Sequence, residues 1–387
     1  MAVNLSSADK ALKTLYLDVV SEQLNNNVNP LLARFKQSTN DVWGKEVIKL
    51  CTHGINGGIG AGTEDGNLPT ATGNNYERFV TTLKNLYGTI EISDKAIRAS
   101  ENNSGAFVNL LNAEMEGLIK ASSFNFGRML FGNGSGVLAN IVSVDGNTVT
   151  VDSVKNLIEG MVIDIREVGG EEFSTGRRIT SIDRDSKIVT FAGGTISANT
   201  NSVLSVQGSF MNEITGLGKI LDENDSFLYG LDKIQNAWLK PYVNNVNGEI
   251  TESKIQKALD TIEERSGSSV NFIVCSWGVR RALINLFAKN KRIVDVMNLE
   301  GGFKALSYNG IPIVADRFCP EGTMYLLNTD DFTLHQLCDW QWLTGDDGSI
   351  LKQVPGKPVY TATLVKYADL ICDRPYGQGK LTGITEE

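Results

Sequence analysis

An α+β fold interrupted by an all-β unit is predicted by three features of the chain. Residues 104–131 repeat apolar side chains at helical spacing. Residues 135–207 alternate apolar and polar side chains with a turn signal every eight to twelve residues, the grammar of a small sandwich or barrel. From 208 onward, helix-like and strand-like segments take turns, with no internal repeat and no low-complexity tail.

Taken in order, residues 6–24 read as a helix. Leu12, Leu15, Tyr16 and Val19 recur at helical spacing, Ser6 and Asp9 can cap the start, and "NNNVNP" breaks it. Residues 51–75, "CTHGINGGIGAGTEDGNLPTATGNN", crowd Gly54, Gly57, Gly58, Gly60, Gly62 and Gly66 into one loop. No lysine follows these glycines, and neither phosphate-loop spacing is present, so the segment reads as a flexible loop. Strand-like sequence around Phe79, Thr81, Leu83 and then Thr89 to Ile92 makes 45–92 a long β-rich excursion with two arms and a glycine tip.

The helix expected over 104–131 carries Phe107, Leu110, Leu111, Met115, Leu118 and Ile119 on one face and ends at "GNGSG". The β unit opens with a hairpin around Asp145-Gly146-Asn147 and runs on through "GMVIDIREV", "RRITSIDRDSKIVTF" and "SVLSVQG". Glycine-rich joints at both ends make it the clearest boundary in the chain. Beyond it, "TESKIQKALDTIEERSGSS" reads as a helix with a capping box at Ser253 and Gln256, an apolar face of Ile255, Leu259 and Ile262, and a stop at Gly267. "VNFIVCS" reads as a buried strand, "GVRRALINLFAKNKRIVDVM" as a helix, and "VYTATLVKYADLIC" as a long closing strand. Between them, Tyr308 to Leu337 gives three strands: Ile311 to Ala315, Thr323 to Asn328 after the turn Cys319-Pro320-Glu321-Gly322, and a third apolar segment.

Composition excludes several classes. The 387 residues are 41% hydrophobic and 21% charged, ordinary for a folded chain of two or three domains. No apolar run approaches the roughly 20 residues needed to cross a bilayer, and the start lacks the basic and apolar regions of a secretory signal. Five scattered cysteines without a C-x-x-C pair fit reduced thiols. A net charge of −9 argues against a protein that grips phosphate backbones.

Catalytic chemistry is sparse. Only two histidines occur. Cys51 with His53, and His335 with Cys338, have ligand chemistry, but zinc takes three or four protein ligands at set spacings. Cys275 lies in a buried-strand run and reads as a core residue rather than a nucleophile. The acidic runs Asp222 to Asp225, Glu263-Glu264 and Asp346-Asp347 read as solvated turns and helix faces, and "AKNKR" (288–292) as a helix end. No residue is put forward as catalytic, cofactor-binding or metal-binding, and no cofactor is expected. Plentiful structure with little chemistry suits a protein whose function is its shape.

The order of parts resembles the major capsid proteins of tailed bacteriophages, a fold lineage that includes encapsulin nanocompartments and herpesvirus capsid floors. "DGNLPTATGNNYERFVTTLKNLYGTIEIS" (65–93) looks like the family's E-loop, "SGAFVNLLNAEMEGLIKASSFNFGRMLFGNG" like its spine helix, and "SVNFIVCSWGVRRALINL" with "YNGIPIVADRFCPEGTMYLLNTDDFTL" like its A-domain. The likeness covers 1–134 and 208 to about 375; the stretch between departs from it. It implies an N-terminal arm (1–44), E-loop (45–93), P-domain spine helix (94–134), β-rich insertion domain (135–207), P-domain continuation (208–250), A-domain with closing P-domain strands (251–375) and a C-terminal tail (376–387). Some members cross-link subunits by lysine–asparagine bonds, but no motif here places such residues. The implied function is a non-enzymatic subunit that self-assembles into pentamers and hexamers of an icosahedral head around double-stranded DNA. Its partners would be itself, with scaffold, portal and decoration proteins; DNA would be enclosed without specific binding, and no membrane is involved. Its place would be the virion, assembled in the host bacterial cytoplasm. The alternatives are an encapsulin-like shell around a protein cargo and, of another class, a glycan-binding or adhesin β domain.

Overall fold

The computed structural model describes residues 29–42, 44–96, 104–169, 172–289, 296–298, 304–345 and 348–386. The helix expected over 6–24 lies outside them. Short β1 (Lys36–Ser38) precedes a long excursion, β2 (Glu46–His53) and β3 (Asn75–Thr82), which pair antiparallel from Glu46↔Thr82 to His53↔Asn75. β4 (Lys84–Ser93) leads to the long helix α1 (Ser104–Phe131), whose bounds match the apolar run. Met115 and Ile119 of the expected stripe are buried and Leu118 packs against the same core, while the side chains of Phe107, Leu110 and Leu111 lie outside the described residues.

The period-two region folds as a closed six-stranded barrel. Its strands are β5 (Val137–Asp145), β6 (Thr148–Val151), β7 (Val162–Glu167), β8 (Glu172–Asp183), β9 (Ile188–Phe191) and β10 (Ser202–Val206), in the order β10-β5-β6-β9-β8-β7 with β10 closing on β7. Leu138, Ile141, Val149, Val151, Ile163, Ile165, Ile179, Val189, Phe191 and Leu204 fill it as a separate core, and closure leaves no sheet edge. Entry and exit lie side by side: Val137 pairs with Ser205, and the Met211 amide donates to the Ser135 carbonyl at 2.8 Å.

After the barrel come a one-turn helix α2 (Leu217–Ile220), the small hairpin β11 (Phe227–Leu228) and β12 (Leu231–Asp232), and β13 (Tyr242–Gly248). Gly216 lies so close to the end of α1 that an added Cβ would sit 2.3 Å from the Met129 carbonyl oxygen, so only glycine fits. α3 (Glu252–Ser266), β14 (Phe272–Cys275), α4 (Trp277–Lys289), β15 (Val296–Asn298), β16 (Lys304–Tyr308), β17 (Ile311–Ala315) and β18 (Met324–Leu327) follow. The chain ends through β19 (Phe332–Trp342), β20 (Lys352–Gln353), β21 (Val359–Cys372) and β22 (Gly379–Ile384).

Two sheets organise the body. A mixed seven-stranded sheet runs β13-β22-β18-β14-β17-β16-β15, and a five-stranded sheet runs β1-β19-β21-β20 with β4 also on β21. All four residues of β14 are buried because Phe272 and Val274 face one core and Ile273 and Cys275 the other. Two-sided burial explains why this strand reads as a continuous apolar run. α3 and α4 cover one side through Ile255, Ala258, Ile262, Val279, Leu283 and Phe287. α1, the five-stranded sheet and the base of the β2–β3 hairpin share the larger core on the other. Each of the larger side chains among these contributes about 1.5–3 kcal/mol by leaving water.

Two expectations are corrected. The cap of α3 is Thr251, whose side chain accepts from the Lys254 amide, rather than Ser253, which is already inside the first turn and exposed. Its stop is as expected, with Gly267 at φ 60°. Of the helix expected over 278–297 the described part is within Trp277–Lys289, residues 290–295 lie outside the described residues, and Val296–Asn298 is instead a strand pairing with β16. Val296 and Met297 are apolar at a spacing that either element satisfies, and strand pairing decides it. The cap assignment has a direct test in urea unfolding: Thr251→Ala is expected to lower stability by about 1 kcal/mol, while Ser253→Ala stays within about 0.5 kcal/mol of the parent.

Candidate assembly interface

The β2–β3 hairpin has two unlike faces. Val47, Cys51 and Phe79 turn into the body core. Lys49 forms a 2.7 Å ion pair with Asp373, just past the end of β21. On the opposite face Ile48 and Leu50 are 53% and 61% exposed, with Tyr76 also exposed and Val80 registered opposite Ile48. Alternation along a strand puts these side chains together, and among the described residues Ile48, Leu50 and Tyr76 are left exposed.

Beyond the strands the chain continues as a narrow finger. The Asn56 side-chain amide donates to Asn74 Oδ1 at 3.1 Å, the Gly58 amide to Asn56 Oδ1 at 2.8 Å, and the Gly66 amide closes the tip turn on the Thr63 carbonyl at 3.1 Å. Cβ atoms added at Gly57 and Gly60 would touch Thr72 and Pro69, so the two legs lie against each other. A leg from Glu46 to Thr63 spans at most about 60 Å. Ile55, Ile59 and Leu68 stand out from it, Leu68 at 90% exposure.

Polar groups brace the hairpin. Asp369, fully buried in β21, accepts from the Thr81 hydroxyl, from the Thr215 amide at 2.7 Å and hydroxyl at 3.2 Å, and from the Leu370 amide at 3.0 Å. Burial raises its pKa, opposed by those bonds. The Tyr229 hydroxyl donates to the Leu370 carbonyl and accepts from the Cys372 amide, while the Val80 amide donates to the Tyr229 carbonyl. Lys366, on the same strand, is fully buried against Gln336 Oε1 at 2.7 Å and Asp339 Oδ1 at 2.6 Å, beneath the Phe126 and Trp340 rings, and burial lowers its pKa. Arg128 near the end of α1 makes a buried two-pronged pair with Glu213.

The residues with ligand chemistry are placed as follows. Cys51 donates to the Asp373 carbonyl at 3.2 Å, and its thiol is pushed up to about 11 by burial and then by the Asp373 carboxylate. His53 stacks flat on Trp238 with ring centroids 4.5 Å apart. His335 is buried between β1 and β21, registered with Ser38 and Asp369, and burial lowers its pKa. Cys338 is half-buried on β19. Cys51 and His335 both sense Lys49 and Asp373, so the hairpin base brings them into one neighbourhood. Among the described residues no three His, Cys, Asp or Glu side chains gather as a metal site. Cys275 is a core residue, pushed up to about 12 by burial. Asp346-Asp347 and residues 290–292 lie outside the described residues. Sequence reasoning missed Asp369, Lys366 and the Arg128–Glu213 pair, because their partners are up to 288 positions away.

Among the described residues, two contacts help to seat the barrel. Lys155 donates to the Cys319 carbonyl of the body, and the Arg166 guanidinium lies 4.6 Å from the Phe210 ring centre. Beside that seat Asp316 is 4% exposed, accepts from the Phe318 amide at 2.8 Å, and is pushed up to about 6 by burial, against the pull of Lys155 and Arg317.

Two sheets, a long helix and a hairpin with an exposed apolar face define the architecture, and a phage shell protein shares it. The cyanophage A-1(L) capsid asymmetric unit aligns with a TM-score of 0.56 at 12% identity, covering 95% of this chain and 93% of that one, and shows the same fold. The capsid of Myoviridae phage XM1 (TM-score 0.46, 9% identity, 93% and 92% covered) and the SrpI encapsulin of Synechococcus elongatus PCC 7942 (0.46, 11%, 95% of each) are more distantly similar. The model of the SU10 major capsid protein family matches residues 97–346, close to two thirds of the chain. The chain belongs to that family: it is a self-assembling structural protein of a phage capsid shell. Comparison with curated protein sequences finds no match.

Asp316 gives this region a pH signature. With its pKa raised from 3.8 to about 6 on folding, the folded state binds more protons than the unfolded state between those values. Stability is therefore expected to fall as pH rises from about 4 to 6, by on the order of 2 kcal/mol from this group. Asp316→Asn should flatten that part of the curve in urea titrations at stepped pH and raise stability at pH 7.

Proposed function

We propose that the subunit forms the pentamers and hexamers of an icosahedral head enclosing double-stranded DNA. The observation that carries this reading is the hairpin's apolar outer face, continued by the finger, on a chain of a major capsid protein family. The hairpin and finger (45–93) act as the E-loop and lie over a neighbouring subunit. The helix α1, within 94–134, is the P-domain spine, the two-faced sheet with α3 and α4 is the A-domain (251–375, with the closing P-domain strands), and the barrel (135–207) is an added domain. Residues 1–44 serve as the N-terminal arm, 208–250 continue the P-domain, and 376–387 form the tail. Contacts between unlike patches close into rings when the rotation permits and so build shells. The net charge of −9 suits a wall that confines DNA without gripping it. The subunit works without catalysis, assembles in the bacterial cytoplasm, and meets scaffold, portal and decoration proteins there.

Replacing both Ile48 and Leu50 with Asp tests the interface. The exposed face tolerates the charges, so the monomer should keep its circular dichroism and unfolding midpoint. Shells formed with scaffold and portal, counted by negative-stain microscopy and sedimentation velocity, should fall at least tenfold. Shells at the parental yield would remove this face from assembly.

The barrel braces neighbouring subunits from the outer surface. Its adjacent ends allow residues 136–207 to be replaced by a short glycine linker without pulling the body apart. Shells of that variant should form poorly or break at lower denaturant concentration. Normal, equally durable shells with poor adsorption to the host would instead assign the barrel to attachment.

A further inference from the structure

The turn between β17 and β18, residues 316–322, is gripped from several parts of the chain at once. Within it the Asp316 carboxylate accepts from the Phe318 amide at 2.8 Å, and the Cys319 amide donates to the Asp316 carbonyl at 3.3 Å, so the carboxylate and Cys319 belong to one folded unit. From the barrel, Lys155 in the loop between β6 and β7 donates to the Cys319 carbonyl. From α1, the Phe124 ring meets Phe318 edge-on at 5.1 Å and lies 4.8 Å from the Arg317 guanidinium. From beyond β22, Glu386 accepts from the Gly322 amide at 2.7 Å and from the Ser276 hydroxyl at the start of α4. Lys155 is half-buried, yet among the described residues its ammonium rests on one neutral carbonyl and forms no ion pair. A part-desolvated cation held that way is poorly compensated. The turn that supplies the carbonyl also holds a buried carboxylate, Asp316, which likewise forms no direct ion pair among the described residues.

We propose that the 316–322 turn is a charge-gated mooring for the barrel, firm when Asp316 is ionised and slack when it is neutral. Opposite charges in part-buried surroundings attract more strongly than in water. Lys155 pulls the Asp316 pKa down, so by reciprocity an ionised Asp316 holds Lys155 in place with the same free energy. With Asp316 protonated, the mooring keeps only its carbonyl bond. The crossover falls at about 6, where burial has raised the carboxyl. Hydrogen bonds described for Asp316 run to its own turn and to the Cys275 carbonyl of β14, so unseating the barrel removes Lys155 and leaves the carboxyl in the body. The other ionisable groups here do not reverse the sign. Arg317 stacks on Phe124 and Phe318 and acts on Asp316 in the same direction as Lys155. The Cys275 and Cys319 thiols stay neutral, both pushed up by burial. Glu386 is engaged by Gly322 and Ser276, and Glu321 is exposed. One group then drives two opposite trends: as pH rises the whole fold loses the stability tied to a neutral Asp316, while the barrel's seat tightens.

Amide hydrogen exchange on the unassembled full-length chain, corrected for the intrinsic rate at each pH, reads the seat in residues 153–161. Protection there is expected to rise at least about fivefold from pH 5 to pH 7, the low end of ordinary coupling between two sites. Asp316→Asn and Lys155→Met should each abolish the rise while keeping the parental circular dichroism, and Lys155→Arg, which keeps the charge, should retain it. In urea titrations at stepped pH, Lys155→Met should also move the Asp316 midpoint upward by the same factor in proton affinity. A flat or falling profile in the parent, a rise that survives in Asp316→Asn, or an unmoved midpoint in Lys155→Met would each overturn the gate. Because the readout needs no shell, the mooring and the proposed bracing role of the barrel can fail separately.

Discussion

One buried carboxylate, Asp369, ties the β2–β3 hairpin to the rest of the subunit. Asp369 sits in the middle of β21 with no access to water, a position that by itself disfavours its charge. It is tolerated because four hydrogen bonds converge on it from three parts of the chain: the hairpin through Thr81, the segment returning from the barrel through Thr215, and its own strand through Leu370. A buried polar group satisfied this fully fixes relative position more sharply than apolar contact can. The hairpin's direction, and with it the aim of the finger, depends on that junction.

β21 bears the surrounding load. It pairs with β19 on one side and β4 on the other, so it is a beam within the sheet rather than an edge. Lys366 extends the same logic toward α1, where the Phe126 ring lies 5.4 Å from its ammonium. Replacing such buried charges with well-packed apolar groups is often neutral for stability in other proteins. Here they join segments far apart in the chain, and their geometric role is the simpler reason for their presence.

The sequence made some of this legible and hid the rest for identifiable reasons. α1, the barrel strands and β21 were readable because each carries a long apolar pattern between clear turn signals, even though register shifts interrupt the barrel strands. The glycine-rich finger was readable as a loop but not as two legs in contact, since side-chain bonds between Asn56 and Asn74 leave no periodic trace. The α3 start misread by two residues because Ser253 and Thr251 are both good caps, and only backbone geometry separates them. The end of α4 was overrun because edge-strand pairing competes with helical spacing over the same apolar residues. The Asp369 junction was invisible, since nothing local distinguishes its aspartate from one at the surface.

The side-by-side entry and exit of the barrel make the body and the barrel nearly independent mechanically. Among the described residues, the barrel's strands close on themselves and pair with no strand of the body's two sheets. Lys155 and the Arg166–Phe210 contact are its visible moorings beyond the paired strands at its root. The opening after α1 therefore works as a socket: any compact module whose termini lie one strand spacing apart could occupy it without bending the wall that carries it.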